Sequence, residues 1–185
     1  MKALERRGLL RALAGGDENS RWHAATTLSQ AQDPEPKTVK AVERILEGNG
    51  DDDARGAAAY VLGFSGGPDS ASLLAQVLSD RDESPRVRAY AAEALGHLLQ
   101  HEPVFAEVRT AVRTGLRDSE AEVRFWSAFA AAVLGLQETR PYLVHLADTD
   151  GAEIEGWWSV AEEAEWALRI LNGEEDPPQP QRTAT

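Results

Sequence analysis

Apolar positions in this chain fall at helical spacing, in blocks of roughly a dozen residues broken by short polar turns. In the block around Arg88, Val87, Ala91, Ala94, Leu95 and Leu98 share one face. The block is not unique. Arg21-Trp22-His23-Ala24-Ala25-Thr26-Thr27-Leu28 aligns with Arg55-Gly56-Ala57-Ala58-Ala59-Tyr60-Val61-Leu62 and with Arg88-Ala89-Tyr90-Ala91-Ala92-Glu93-Ala94-Leu95. Arg124-Phe125-Trp126-Ser127-Ala128-Phe129-Ala130-Ala131 follows the pattern more loosely. The arginines are 34, 33 and 36 residues apart, a period that holds two helices and two turns. Acidic or turn-forming residues precede each block, at Asp17-Glu18-Asn19-Ser20, Asp51-Asp52-Asp53, Asp82-Glu83-Ser84-Pro85 and Asp118-Ser119-Glu120. These suit N-terminal caps and the positive end of a helix dipole.

A second series of apolar stripes lies between the blocks: Val39, Val42, Ile45 and Leu46; Leu73, Leu74, Val77 and Leu78; Val104, Val108, Ala111, Val112 and Leu116; and the shorter Tyr142, Leu143 and Leu146. Residues 2–14 read as an orphan second helix carrying Leu4, Leu9, Leu10 and Leu13 inward. Residues 154–171 read as a final first helix that closes the stack. No such pair buries its apolar stripe alone, so neighbouring pairs must share one continuous core. The expected boundaries are a solenoid over 1–172, with repeats near 17–47, 51–79, 84–117 and 119–147. A disordered, acidic, proline-rich tail is expected over 173–185.

The motif Val87-Arg88-x-x-Ala91-Ala92-x-Ala94-Leu95-Gly96 resembles HEAT-like repeats, in particular the short bacterial kind named after phycobilisome lyases. The likeness runs over about residues 17 to 147 and is sharpest in the third copy. It implies an all-α, right-handed α-α superhelix of about four to five helix pairs, an armadillo-like solenoid. The fourth copy departs from it, with Ser127 at an alanine position and Leu134-Gly135 three residues late.

Composition agrees with helix. The 185 residues include 30 Ala and 20 Leu against 12 Val and 3 Ile. No cysteine is present, which removes disulfides, thiol nucleophiles and thiolate metal sites. No apolar run approaches the roughly 20 residues of a membrane span, and the N-terminus lacks a secretory apolar stretch, so a cytoplasmic protein is expected.

Catalytic constellations are missing from the sequence. Glu93, His97 and His101 follow one another at i+4 and form a candidate metal column, but one strip of three ligands seldom closes a site unaided. Deoxyhypusine hydroxylases, which share the repeat motif, carry His-Glu pairs after the repeat arginine. Here those places hold Trp22-His23, Gly56-Ala57, Ala89-Tyr90 and Phe125-Trp126. Asp51-Asp52-Asp53 fails as a calcium loop because Arg55 stands where an oxygen ligand belongs. No phosphate loop follows Gly63, Gly66 and Gly67, and no nucleophile elbow occurs. Neither a cofactor nor a structural metal is expected.

Charge is distributed unevenly. The formal net charge is −12, yet the second helices alone carry +5, leaving −17 on the rest. By family resemblance the second helices line the concave surface, which predicts a mildly basic groove holding Lys40, Arg44, Arg109, Arg113 and Arg117. Five tryptophans supply candidate interface anchors, above all Trp126, Trp158 and Trp166. Trp158 and Trp166 fall off the inward stripe of the closing helix. The expectation is a monomeric, non-catalytic adaptor that holds a protein partner in that groove. Acidity argues against nucleic acid, because like charge repels the phosphate backbone. Two rivals use the same groove: a HEAT-like glycosylase acting on damaged DNA bases, and a bilin lyase-like protein.

Overall fold

A computed structural model describes residues 2–31, 35–175 and 177–180. Its ten α-helices are α1 (Ala3–Gly15), α2 (Glu18–Ser29), α3 (Pro36–Glu47), α4 (Asp52–Ser65), α5 (Pro68–Ser79), α6 (Pro85–Leu99), α7 (Ala106–Gly115), α8 (Ala121–Val133), α9 (Arg140–Thr149) and α10 (Val160–Leu171). No strand occurs among the described residues beyond one isolated bridge between Glu153 and Ser159.

Local chemistry sets the helix ends. Asp17 and Asp51 accept from the backbone N–H of Ser20 and Ala54 at 3.0 and 2.7 Å. Pro36, Pro68 and Pro85 open α3, α5 and α6, where a missing N–H costs nothing. The closing helix begins at Val160, six residues later than residue 154. Ser159 and Glu162 form a reciprocal capping box there, and Gly156, at φ +76°, turns the preceding loop.

Each arginine-bearing helix packs on the helix before it. The hairpins are α1–α2, α3–α4, α5–α6, α7–α8 and α9–α10, whereas α2 and α3, or α4 and α5, barely touch. Among the described residues five complete pairs result and no α-helix is left over. The expected phase, with an orphan at the start and a lone first helix at the end, is therefore displaced by one helix.

The even-numbered helices form a tightly packed inner layer. Ala57, Ala58, Leu62, Ala91, Ala94, Leu95, Ala128 and Ala131 are fully buried within it or close to it. Side chains this small let neighbours approach. A Cβ on Gly63 would meet the Cα of Ala94 at 3.0 Å, and one on Gly56 would overlap the Tyr90 ring. The odd-numbered helices are spaced more openly on the whole: α5 packs on α7, but α1 meets α3 only slightly, and α3 barely reaches α5 and α7 barely reaches α9. A stack closer on one side bends toward that side. The arginine-bearing helices thus line the concave face, and the second helices, expected there, form the outer layer.

An ion-pair ladder joins the layers. Arg6 pairs with Glu35, Arg21 with Asp51 and Asp53, Arg55 with Glu83, Arg88 with Asp118, and Arg124 with Asp150. Each acid belongs to a turn of the next repeat, except Asp53, which stands in the first turn of α4. The acidic clusters that read as caps therefore also hold the neighbouring arginine.

Gly173–Glu175 and Pro177–Pro180, within the segment expected to be disordered, run along α10. The Trp166 indole N–H donates to the Pro177 carbonyl at 3.1 Å, and Arg169 pairs with Glu174. Residues 176 and 181–185 lie outside the described residues.

Candidate functional site

The inner face carries a continuous aromatic ribbon. Helical spacing aims one residue per turn away from the core, and the layers bring those residues into register. Trp22 on α2 meets Tyr60 on α4 at 5.7 Å, and Tyr60 meets Phe64 at 5.1 Å. Phe64 stacks on His97 of α6 at 4.8 Å, and His97 meets Phe129 of α8 at 5.1 Å. From Phe129 the ribbon forks to Trp126 at 5.7 Å and to Trp166 of α10 at 6.4 Å. Trp126 continues to Trp157 at 5.1 Å. Most of these rings are only partly covered, and Phe64 is 47% exposed.

The ribbon ends in a cleft of about 290 Å³ between α6, α8, α10 and the 150–159 loop. Trp126, Phe129, Trp157 and Trp166 supply its aromatic walls, and Glu93 and Glu163 supply carboxyls. Glu163 is 2% exposed and accepts from the Trp158 indole N–H at 2.7 Å. Burial pushes the Glu163 carboxyl up to about 7 despite that bond. Burial, with some help from the Glu122 charge, raises Glu93 to about 7 as well. His97 lies 3.9 Å from Glu93, and burial lowers its pKa, which keeps it neutral at pH 7.

A second hollow of about 570 Å³ lies between α6, α8 and the same loop. Glu120, Glu122, Glu153 and Glu155 line it against a single cation, Arg86. The concave surface at this end is therefore acidic rather than basic.

The expected site residues divide into two groups. Lys40, Arg44, Arg109, Arg113 and Arg117 sit exposed on the outer helices α3 and α7 or at their ends. Lys40 bridges Glu43 and Asp69, Arg109 pairs with Glu138 at 2.8 Å, and Arg117 lies over the Tyr142 ring. They do not converge on a groove. Trp126, Trp158 and Trp166 do converge, around the cleft. Trp158 was expected outside the inward stripe but is 3% exposed, because the loop before Val160 folds its ring under α10. The Glu93, His97 and His101 column is not assembled: α6 ends at Leu99, which leaves His101 in an exposed turn. Among the described residues no group of three or more His, Asp or Glu is placed to hold a metal ion.

Reading residue by residue overlooked the ribbon. Its signal lies in columns of the aligned copies: Tyr60, Glu93 and Phe129 stand five residues after their arginines, and Phe64 and His97 stand nine after.

These features define the class: an all-α solenoid of stacked helical hairpins with an aromatic, acidic concave face. The HEAT-repeat family profile matches residues 7–83 and 78–169, and the chain belongs to the HEAT-repeat family. One chain of the CpcE–CpcF complex of phycocyanin lyase from Nostoc sp. PCC7120 is similar in fold, with TM-score 0.70 and 19% identity over 90% of this chain and 99% of that chain. Two engineered proteins also match. One has TM-score 0.54 and 20% identity over 92% of this chain and 80% of its own; the other has 0.55 and 22% over 91% and 48%. At these identities the likeness is one of fold. No curated protein matches the sequence. No helix among the described residues is long and apolar enough to cross a membrane.

Proposed function

We propose that this HEAT-repeat chain is a non-catalytic binding module for a basic protein, held on the concave face of the arginine-bearing helices. The observation that carries the reading is the aromatic ribbon from Trp22 to Trp166, half-open along five layers and bordered by the four-glutamate hollow. Partly covered aromatic rings give large contact area at low ordering cost, and the acids select positive partners. The outer basic residues are largely engaged in pairs of their own, which makes them weaker candidates for a docking surface. The phycocyanin lyase neighbour is a complex of two chains, CpcE and CpcF, which supports a protein as the partner class.

The test compares two double variants in capture of the partner from the native host. Loss on Tyr60→Ala with Phe64→Ala, and retention on Arg109→Glu with Arg113→Glu, upholds the concave face. The reverse pattern moves the site to the outer helices. Capture that neither pair affects removes the reading.

A further inference from the structure

The cleft at the end of the ribbon is more specific than a general contact surface. Phe129 and Trp166 lie nearly parallel, 12° apart, and form one side of it. Glu93 reaches it from α6 and Glu163 from α10. Both carboxyls are largely withdrawn from water, and none of the lining residues carries a permanent positive charge.

That combination limits what fits. An apolar group would seal off the Glu93 carboxyl and leave Glu163 with the Trp158 N–H as its one hydrogen bond, which is costly. An anion would be repelled. A bare metal ion lacks a third ligand among the described residues. A flat organic cation satisfies both features, because its face stacks on aromatic rings while its N–H groups point at carboxylates. Guanidinium suits the site better than ammonium: it is planar, weakly hydrated, and carries five donors in a fixed fork.

We propose that this cleft is a receptor for a guanidinium group, presented by an arginine side chain of the basic protein partner. The assignment rests on the concave-face reading above and names the chemistry at its centre. The charged groups around it determine the pH response. On α6 these are Glu93 and His97, on α8 Glu122 with Arg86 of α6 opposite it, and on α10 Glu163. The 150–159 loop contributes Trp157 and the Trp158 N–H, and the tail contributes the neutral Gln179. Near pH 7 both cleft carboxyls are poised between acid and carboxylate, so an entering cation draws off protons, and binding strengthens as pH rises.

The experiment is a tryptophan-fluorescence titration of the full chain with N-acetyl-arginine methylamide. A fragment of this size is expected to saturate in the millimolar range at about pH 8 and to bind about tenfold more weakly near pH 5.5. The uncharged citrulline analogue is expected to give no saturable change. Glu93→Gln and Glu163→Gln are each expected to weaken the arginine response by about fivefold or more. Both are near-isosteric, and a melt close to that of the unaltered chain at low pH, where the native carboxyls are protonated, verifies their folding. Equal responses to arginine and citrulline analogues, no saturation at either pH, or responses unchanged in both variants would overturn the proposal. Tetramethylammonium binding as tightly as the arginine analogue would overturn the guanidinium assignment. No partner is in the cuvette, so a failed titration leaves the capture experiment standing, and a failed capture leaves this result standing.

Discussion

Arg88 donates through Nη2 and Nε to the two carboxylate oxygens of Asp118, at 2.9 and 3.2 Å, across thirty residues of chain. The side chains are 5% and 1% exposed. Asp118 also accepts from Arg81 at 2.9 Å and from the Glu120 backbone N–H at 3.0 Å. Burial pushes its pKa up, but these hydrogen bonds and the charges of Arg88 and Arg81 outweigh burial and hold it low. Breaking such a pair strands a buried cation. Asp118→Ala is expected to cost about 3–5 kcal/mol in urea denaturation. Glu138→Ala, which frees the exposed Arg109, is expected to cost less than about 1 kcal/mol. Similar losses for the two would show that the ladder does not bind the layers together.

Ser127 stands where the other copies have Ala24, Ala58 and Ala91, and it is fully buried. Its hydroxyl has no hydrogen-bond partner among the described residues. Ser127→Ala restores the repeat pattern and removes an unpaired polar group at almost no change in volume. It is expected to stabilise the chain by about 1–2 kcal/mol, read as a rise in denaturation midpoint at constant slope. A loss of stability would show that the hydroxyl is satisfied in solution.

What the sequence makes legible follows from what repeats. Val87, Ala91, Ala94 and Leu95 recur in equivalent form elsewhere, so helices, period and solenoid are readable without coordinates. The phase is not, because the segments before and after a given helix both carry apolar stripes at the same spacing, and the pattern does not say which of the two it packs against. Arg109, Arg113 and Arg117 form a visible stripe along one helix, but a stripe does not reveal which layer it belongs to. Tyr60, Glu93 and Phe129 lie more than thirty residues apart, and each alone is an ordinary surface residue. Only stacking makes them one surface. Glu163 reads as one acid among several in Glu162-Glu163-Ala164-Glu165, and only its burial under Trp158 sets it apart.

Glu93 and Glu163 also leave a signature in stability. Their folded pKa values, about 7, lie above the ordinary carboxylate value of 4.5. Between those limits the unfolded chain gives up protons that the folded chain keeps. The folded state therefore binds more protons, and stability falls as pH rises from about 4.5 to 7, then levels. Each group contributes at most on the order of 3 kcal/mol to that fall. The double variant Glu93→Gln, Glu163→Gln is expected to show a flatter profile and to melt higher than the unaltered chain at pH 8. The lowered carboxyls, such as Asp118, act below about pH 4.5, and Glu122, raised by burial, and His97, lowered by burial, are common to variant and unaltered chain, so the difference between the profiles reports Glu93 and Glu163. Parallel profiles for variant and unaltered chain would show that the two carboxyls are solvated.

The proline-rich tail bears on the same cleft. The Trp166 N–H donates to the Pro177 carbonyl at 3.1 Å, Pro177 is buried, and Gln179 lies at the cleft wall. An indole N–H meeting a carbonyl in a proline-rich stretch is the contact by which aromatic grooves hold extended polyproline segments. The tail adds little to the core, so a chain ending at Asn172 is expected to lose less than about 1 kcal/mol of stability. Its tryptophan emission is nevertheless expected to be quenched more strongly by acrylamide, because one face of Trp166 is uncovered. Trp166→Phe removes both the donor and the reporter, so truncation in that background is expected to change quenching much less. Equal quenching of full-length and truncated chains would show that the tail does not rest on α10 in solution.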